Sequence, residues 1–103
     1  MNNANVRTFF AEMLGTFIFI GTIITVINQK ESSLNFLKIG IALMVAIVFL
    51  GPISGGAFNP AVSLMLFLNN KVDLTGMYSQ IVGQLAGLAL IFLVYKNLHS
   101  KVK

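Results

Sequence analysis

Asn59-Pro60-Ala61 is the part of this sequence whose chemistry can be argued most directly. Asn is a good helix N-cap and Pro fits the first helical position. A helix should therefore start here and run through the apolar residues 59–68. Its N-terminus would present unpaired N–H groups and about half a positive charge. Asn59 adds a carboxamide NH2 that donates to a passing oxygen. Ahead of it lie Gly55, Gly56, Ala57 and Phe58. An extended stretch cannot pair all its carbonyls internally, so these residues offer backbone acceptors along a path. Donors at a centre, with acceptors leading to it, suit a neutral hydrogen-bonding solute such as water. The positive helix end disfavours cations and hydrated protons. An Asn-Pro helix start in an ordinary loop would mean none of this. Its setting, behind glycines and between two long apolar runs, is what gives it significance.

The elements that position this tripeptide are apolar. The first run, residues 9–27, carries one charge, Glu12. A second span is expected over about 36–51, stopped by Gly51-Pro52, and a third over about 76–95. Crossing a hydrocarbon core of about 30 Å takes roughly 20 helical residues. The stretch 59–68 would make only about 15 Å of helix, half a crossing. Irregular backbone leading into a half-span is tolerated at membrane depth only where protein or water covers it. A signal peptide fits the first run poorly, because Arg7 alone precedes it and no small-x-small cleavage site follows. The expected fold is an all-α membrane protein, with three transmembrane helices and one re-entrant half-helix in a single domain over 1–103.

Composition agrees. Of 103 residues, 56 % are apolar and 10 % are charged, where a soluble domain carries about 25 % charged. That excludes an ordinary soluble enzyme and a disordered chain. The net charge of +4 comes from basic residues at the ends of apolar runs, the pattern of membrane proteins, so no nucleic-acid partner is expected. There is no cysteine, hence no disulfide or thiolate metal site. Nothing suggests a catalytic triad, a metal cluster or a phosphate loop, so no enzyme activity, metal or cofactor is expected. His99 lies in the basic tail and is read as solvated. The expected location is integral to a membrane, with several passes.

The segment SGGAFNPAVS, preceded by a span opening AEMLGTF and followed by QIVGQLAG, resembles the first half of the aquaporin/aquaglyceroporin (major intrinsic protein) family. The resemblance covers residues 9 to about 95. It implies that each half contributes three spans and a half-helix, that the halves are inverted repeats, and that two such helix ends meet at mid-membrane. It makes Asn59, Pro60 and Ala61 the pore signature, with Asn59 as the donor. It also implies that Glu12 accepts hydrogen bonds from the re-entrant loop and braces it. The plainer reading of Glu12 is an interfacial charge, although an intramembrane carboxylate usually has a partner. Gly76, Gln80, Gly83 and Gly87 share one face of the third span and are read as helix packing, with Gln80 bonding another segment. Gly40, Met44, Ile47 and Gly51 make a similar stripe on the second span.

The sequence departs from the family pattern in several places. It holds one Asn-Pro-Ala, and no second half with its filter arginine. Val62 follows the signature, Ile39 stands at the second-span filter position, and Ala57 replaces a common histidine. One such chain cannot enclose a pore, because polar backbone would face lipid at several kcal/mol per group. A second half is needed, either an inverted copy of the chain (a homo-oligomer, dimeric or higher) or a partner chain. If the N-terminus is cytoplasmic, Arg7 and Lys71 lie on that side, against Lys30, Lys38, Lys96, Lys101 and Lys103 on the other. That bias opposes the positive-inside rule and permits insertion both ways. The expected function is a passive channel for water or small neutral solutes such as glycerol. In an inverted homodimer its filter would be lined by Ile39 and Val62 and be wide and greasy. The alternatives are a non-conducting fragment or regulator that pairs with full-length aquaporins, and a small proton-coupled exporter using Glu12. The exporter would need four full spans.

Overall fold

The computed structural model describes residues 2–30 and 33–100, with the side chains of His99 and Ser100 outside the described part. The reading of His99 therefore falls outside it. Four helices follow one another: α1 Asn3–Ile27, α2 Asn35–Ser54, α3 Pro60–Leu68 and α4 Leu74–Ser100. There is no strand among the described residues. Three of the helices are long and apolar enough to cross a membrane, and α3 is not.

α1 begins six residues before the apolar run, because the Asn2 side chain caps it by accepting the Asn5 N–H at 2.8 Å. Within the span, Thr22 and Thr25 turn their hydroxyls back onto the carbonyls of Ile18 and Gly21, each at 2.8 Å. That keeps the hydroxyls satisfied where no water is available.

α2 does not stop at Gly51-Pro52, as the stop signal predicts. It runs on to Ser54 with Pro52 inside it. The proline removes a single N–H donor and sits near the helix end, where one lost bond is tolerated. The stop comes at Gly55, whose φ of 90° is left-handed and whose N–H reaches the Gly51 carbonyl at 2.7 Å.

α3 is short because both its ends are capped. Asn59 caps the start. At the far end Asn70 takes a left-handed φ of 60°. The N–H groups of Lys71 and Asn70 then close onto the carbonyls of Leu66 and Phe67, at 2.8 and 3.0 Å. Asp73 opens α4 by accepting the Gly76 N–H at 2.7 Å.

α1 packs against α2 and α4, and α3 lies on α4. A Cβ on Gly83 would come 2.5 Å from the Phe9 carbonyl oxygen, and one on Gly87 equally close to that of Met13. The paired numbers rise together, so α1 and α4 run parallel with their backbones in contact. Between helices in lipid, where apolar burial drives little, such close approach supplies the packing. Gly76 does not share this seam. A Cβ there would meet Asp73 and Val72 just ahead of α4, because the cap folds back over it. Gly40 faces open space, whereas Gly51 lies under the loop, 3.1 Å from where a Gly56 Cβ would sit.

The interior is polar and the exterior apolar. Glu12, Thr16, Ser54, Ser63, Ser79, Gln80 and Gln84 are buried, while Phe36, Val48, Phe49 and many others are exposed. α2 is the barest span, with 6 % of its apolar window buried against 39 % for α4.

The seam gives a direct test. Gly87→Ala should lower the thermal midpoint in detergent, since overpacking against backbone costs about 1–3 kcal/mol. Gly40→Ala should leave it unchanged or raise it slightly. Equal midpoints for the two variants would contradict a close α1–α4 contact.

Candidate pore site

The loop between α2 and α3 is built from left-handed backbone. Gly55 and Gly56 have φ of 90° and 64°, and Phe58 follows at 52°. Glycine adopts these angles freely. Phenylalanine does not, and such a residue stores about 1–3 kcal/mol of strain. Two contacts hold Phe58 there. Its N–H donates to Glu12 Oε1 at 2.8 Å. Its ring is buried against Gly15 of α1, where any Cβ would run into it.

Glu12 is fully buried. Its Oε2 accepts the Ser54 hydroxyl at 2.6 Å and the Ala57 N–H at 3.1 Å. Its Oε1 accepts Phe58 N–H and the Gln84 amide, the latter at 2.9 Å. One carboxyl on α1 thus gathers the end of α2, the loop and α4. The Gln84 Nε2 also donates to Ser63 Oγ of α3 at 2.8 Å. Gln80 Nε2 donates to the Ser54 carbonyl at 2.7 Å, and Ser54 Oγ accepts the Gly56 N–H at 3.2 Å. The fully buried Gln80 therefore bonds a neighbouring segment.

Depth follows from the Ser63–Gln84 contact. Gln84 stands ten residues beyond Leu74, the start of α4. That is about 15 Å along the helix. α3 runs back along α4 from that depth, so its N-terminus lies well inside the membrane-spanning region.

At that N-terminus Asn59 is extended, with φ −159°. Its Oδ1 accepts the Ala61 N–H at 2.8 Å. The carbonyl end of the amide is thereby committed, and the Nδ2 hydrogens point away from the cap. Asn59, Pro60 and Ala61 are exposed, whereas Gly56, Ala57 and Phe58 are buried. The bonds that anchor the loop use N–H groups and the Ser54 carbonyl. None of them takes a carbonyl from Gly55, Gly56, Ala57 or Phe58.

The structure does not draw Ile39 and Val62 together within the chain. Both are half-buried. Val62 sits in the first turn of α3, while the loop meets α2 at Ile47 and Gly51. Ile39 lies a further eight residues along α2 from Ile47, about 12 Å.

Ser54, Ser63, Gln84 and the Gly15–Phe58 notch are missing from the sequence reading. A signal existed. The two serines are isolated polar residues in apolar segments, and Gln84 stands one helical turn from Gln80. The Oε1 atoms of Gln80 and Gln84 and the hydroxyl of Thr16 are buried without a hydrogen-bond partner among the described residues.

Comparison with known proteins points to one family. The family profile described as major intrinsic protein matches residues 1–103. A glycerol uptake facilitator protein-like 6 of Lactiplantibacillus plantarum is 37 % identical over 83 residues, covering 79 % of this chain and 38 % of the relative. Aquaporin-5 of Ovis aries is 34 % identical over 98 residues, covering 86 % and 37 %. Aquaglyceroporin AqpS of Rhizobium meliloti is 30 % identical over 102 residues, covering 86 % and 44 %. The chain thus spans less than half the length of these curated relatives. No solved structure matches it.

If the Glu12 carboxyl holds the loop, Glu12→Ala should expose the Ala57 and Phe58 amides. Their hydrogen exchange in bilayers should accelerate at least about ten-fold, the equivalent of roughly 1.4 kcal/mol of lost protection. Amides in the middle of α4 should keep their rates. Unchanged exchange at Phe58 would contradict the anchoring.

Proposed function

The chain belongs to the major intrinsic protein family, and on that premise we propose that it forms one half of a passive membrane channel. The solutes are water and small neutral molecules such as glycerol. The observation that carries this reading is the Asn59 end of α3. An uncommitted amide donor stands at the start of a nine-residue helix, inside the membrane-spanning region and behind a fastened loop. Donor, helix end and loop carbonyls together suit a solute that both donates and accepts hydrogen bonds. The positive helix end works against cations.

In this reading Asn59, Pro60 and Ala61 are the pore signature, and the backbone of Gly55, Gly56, Ala57 and Phe58 lines the approach. Glu12 braces the loop. Gly83, Gly87 and Gln80 serve packing, and Ile39 and Val62 meet only across the contact with a second half. That second half is an inverted copy of the chain or a partner chain. The bare surface of α2 supports such a partner. So does the uncovered Asn59 end, which a bilayer alone would leave facing lipid. An exporter carrying protons on Glu12 is disfavoured, because its two oxygens already accept four internal hydrogen bonds.

Proteoliposomes containing only this chain test the proposal by osmotic shrinkage. The expected result is water or glycerol flux well above that of empty liposomes. Asn59→Asp, which replaces the donor with an acceptor, should abolish or alter it. Flux at the empty-liposome level, with the protein confirmed inserted, would contradict a channel completed by this chain alone. A partner chain that restores flux would then identify the second half. A chain that conducts in no combination would be a non-conducting fragment.

A further inference from the structure

A groove of about 740 Å³ lies between α1 and α2, outside the pore signature. Ala4, Thr8 and Ala11 are the small side chains of α1 that leave it open, and Phe10, Leu14 and Leu50 supply apolar walls. Arg7 is its sole charged lining residue, and it is exposed. Around α1, Arg7 and Leu14 stand about 140° and 160° from Glu12. Thr8 lies nearer to Glu12, about 40° round the helix, and Pro52 and Ile53 at the end of α2 complete the wall, so the groove opens outward between α1 and the end of α2.

Among the described residues Arg7 has no ion-pair partner. Of the chain's three acids, Glu12 is buried under the loop and Asp73 caps α4. Glu31 comes after the opposite end of α1 in the sequence. Arg7 also stands two residues before the apolar run begins, from where its long side chain can reach the headgroups, and the groove runs on past Phe10 to Leu14. Guanidinium recognises phosphate through paired donors. Thr8, half-buried beside it, carries a hydroxyl that can join them. The feature thus combines an unpaired cation at the interface with an apolar channel leading inward.

We propose that this groove is a binding site for an anionic phospholipid, with its phosphate on Arg7 and an acyl chain between Phe10, Leu14 and Leu50. The occupant is a lipid rather than a free anion, because the greater part of the lining is apolar. It is a lipid rather than a segment of this chain, because no acidic residue of the described part is available to reach Arg7.

The test is lipid retention. The full chain, purified in detergent, is mixed with equal amounts of phosphatidylglycerol and phosphatidylcholine of identical acyl chains. Bound lipid is then counted by native mass spectrometry. The wild-type chain should retain phosphatidylglycerol about five-fold over phosphatidylcholine, the attraction expected of one cation near an anionic lipid. Arg7→Gln should bring the two to parity. Ala4→Leu, which fills the groove from an exposed position, should lower retention of both. Lys71→Gln removes a charge from the same side of the membrane but not from the groove, and should leave the preference at its wild-type value. A wild-type chain without preference would overturn the proposal. So would an equal loss in Lys71→Gln, which marks diffuse surface attraction, or retention untouched by Ala4→Leu. Circular dichroism of each variant separates loss of lipid from loss of fold.

Discussion

Everything distinctive about this molecule depends on one buried carboxyl. A loop at membrane depth has no water to satisfy its amides, so its N–H groups must find partners inside the protein. Glu12 supplies them. It accepts the Ala57 and Phe58 N–H groups, the Ser54 hydroxyl and the Gln84 amide. Without it, the Ala57 and Phe58 amides would be left unpaired, at about 1–3 kcal/mol each. Gln84 extends the constraint to α3 through Ser63. The position of the Asn59 helix end is therefore set from α1 and α4, the two spans that are packed most tightly.

Packing and polarity are coupled through the same residues. A Cβ on Gly83 would sit 3.0 Å from the Glu12 Cβ and closer still to the Phe9 carbonyl, so α4 approaches α1 where the carboxyl emerges. The next residue, Gln84, is thereby placed within reach of it. The strain at Phe58 is held by the same assembly, with the backbone amide on Glu12 and the ring in the space that Gly15 leaves. The tight α1–α4 side contrasts with the nearly bare α2. The molecule is closely packed on one side and open on the other.

The parts legible in the sequence were those with local causes. Three long apolar runs with few charges predict three spans, and an Asn followed by a Pro predicts where α3 starts. The misreadings also have physical reasons. Pro52 reads as a stop, yet one missing N–H near a helix end is affordable when Gly55 can cap the chain three residues later. α1 reaches out to Asn3 because capping extends a helix beyond its apolar run. Gly76 has the spacing of Gly83 and Gly87, but the Asp73 turn occupies its surroundings. The polar cluster was least visible. Ser54, Ser63 and Gln84 become partners only through the tertiary contact of three helices, and no spacing along the chain encodes that. Only family resemblance assigns Glu12 to the loop, since its place in the run also suits an interfacial charge.

The central claim is that the Glu12 carboxyl grips the loop amides in the membrane. Solid-state NMR in lipid bilayers measures this directly, with ¹⁵N at Phe58 and ¹³C at the Glu12 side-chain carboxyl. A dipolar coupling corresponding to a direct hydrogen bond is predicted, in keeping with the 2.8 Å N–O distance. The absence of any coupling between the two labels, with the chain folded and inserted, would contradict the account.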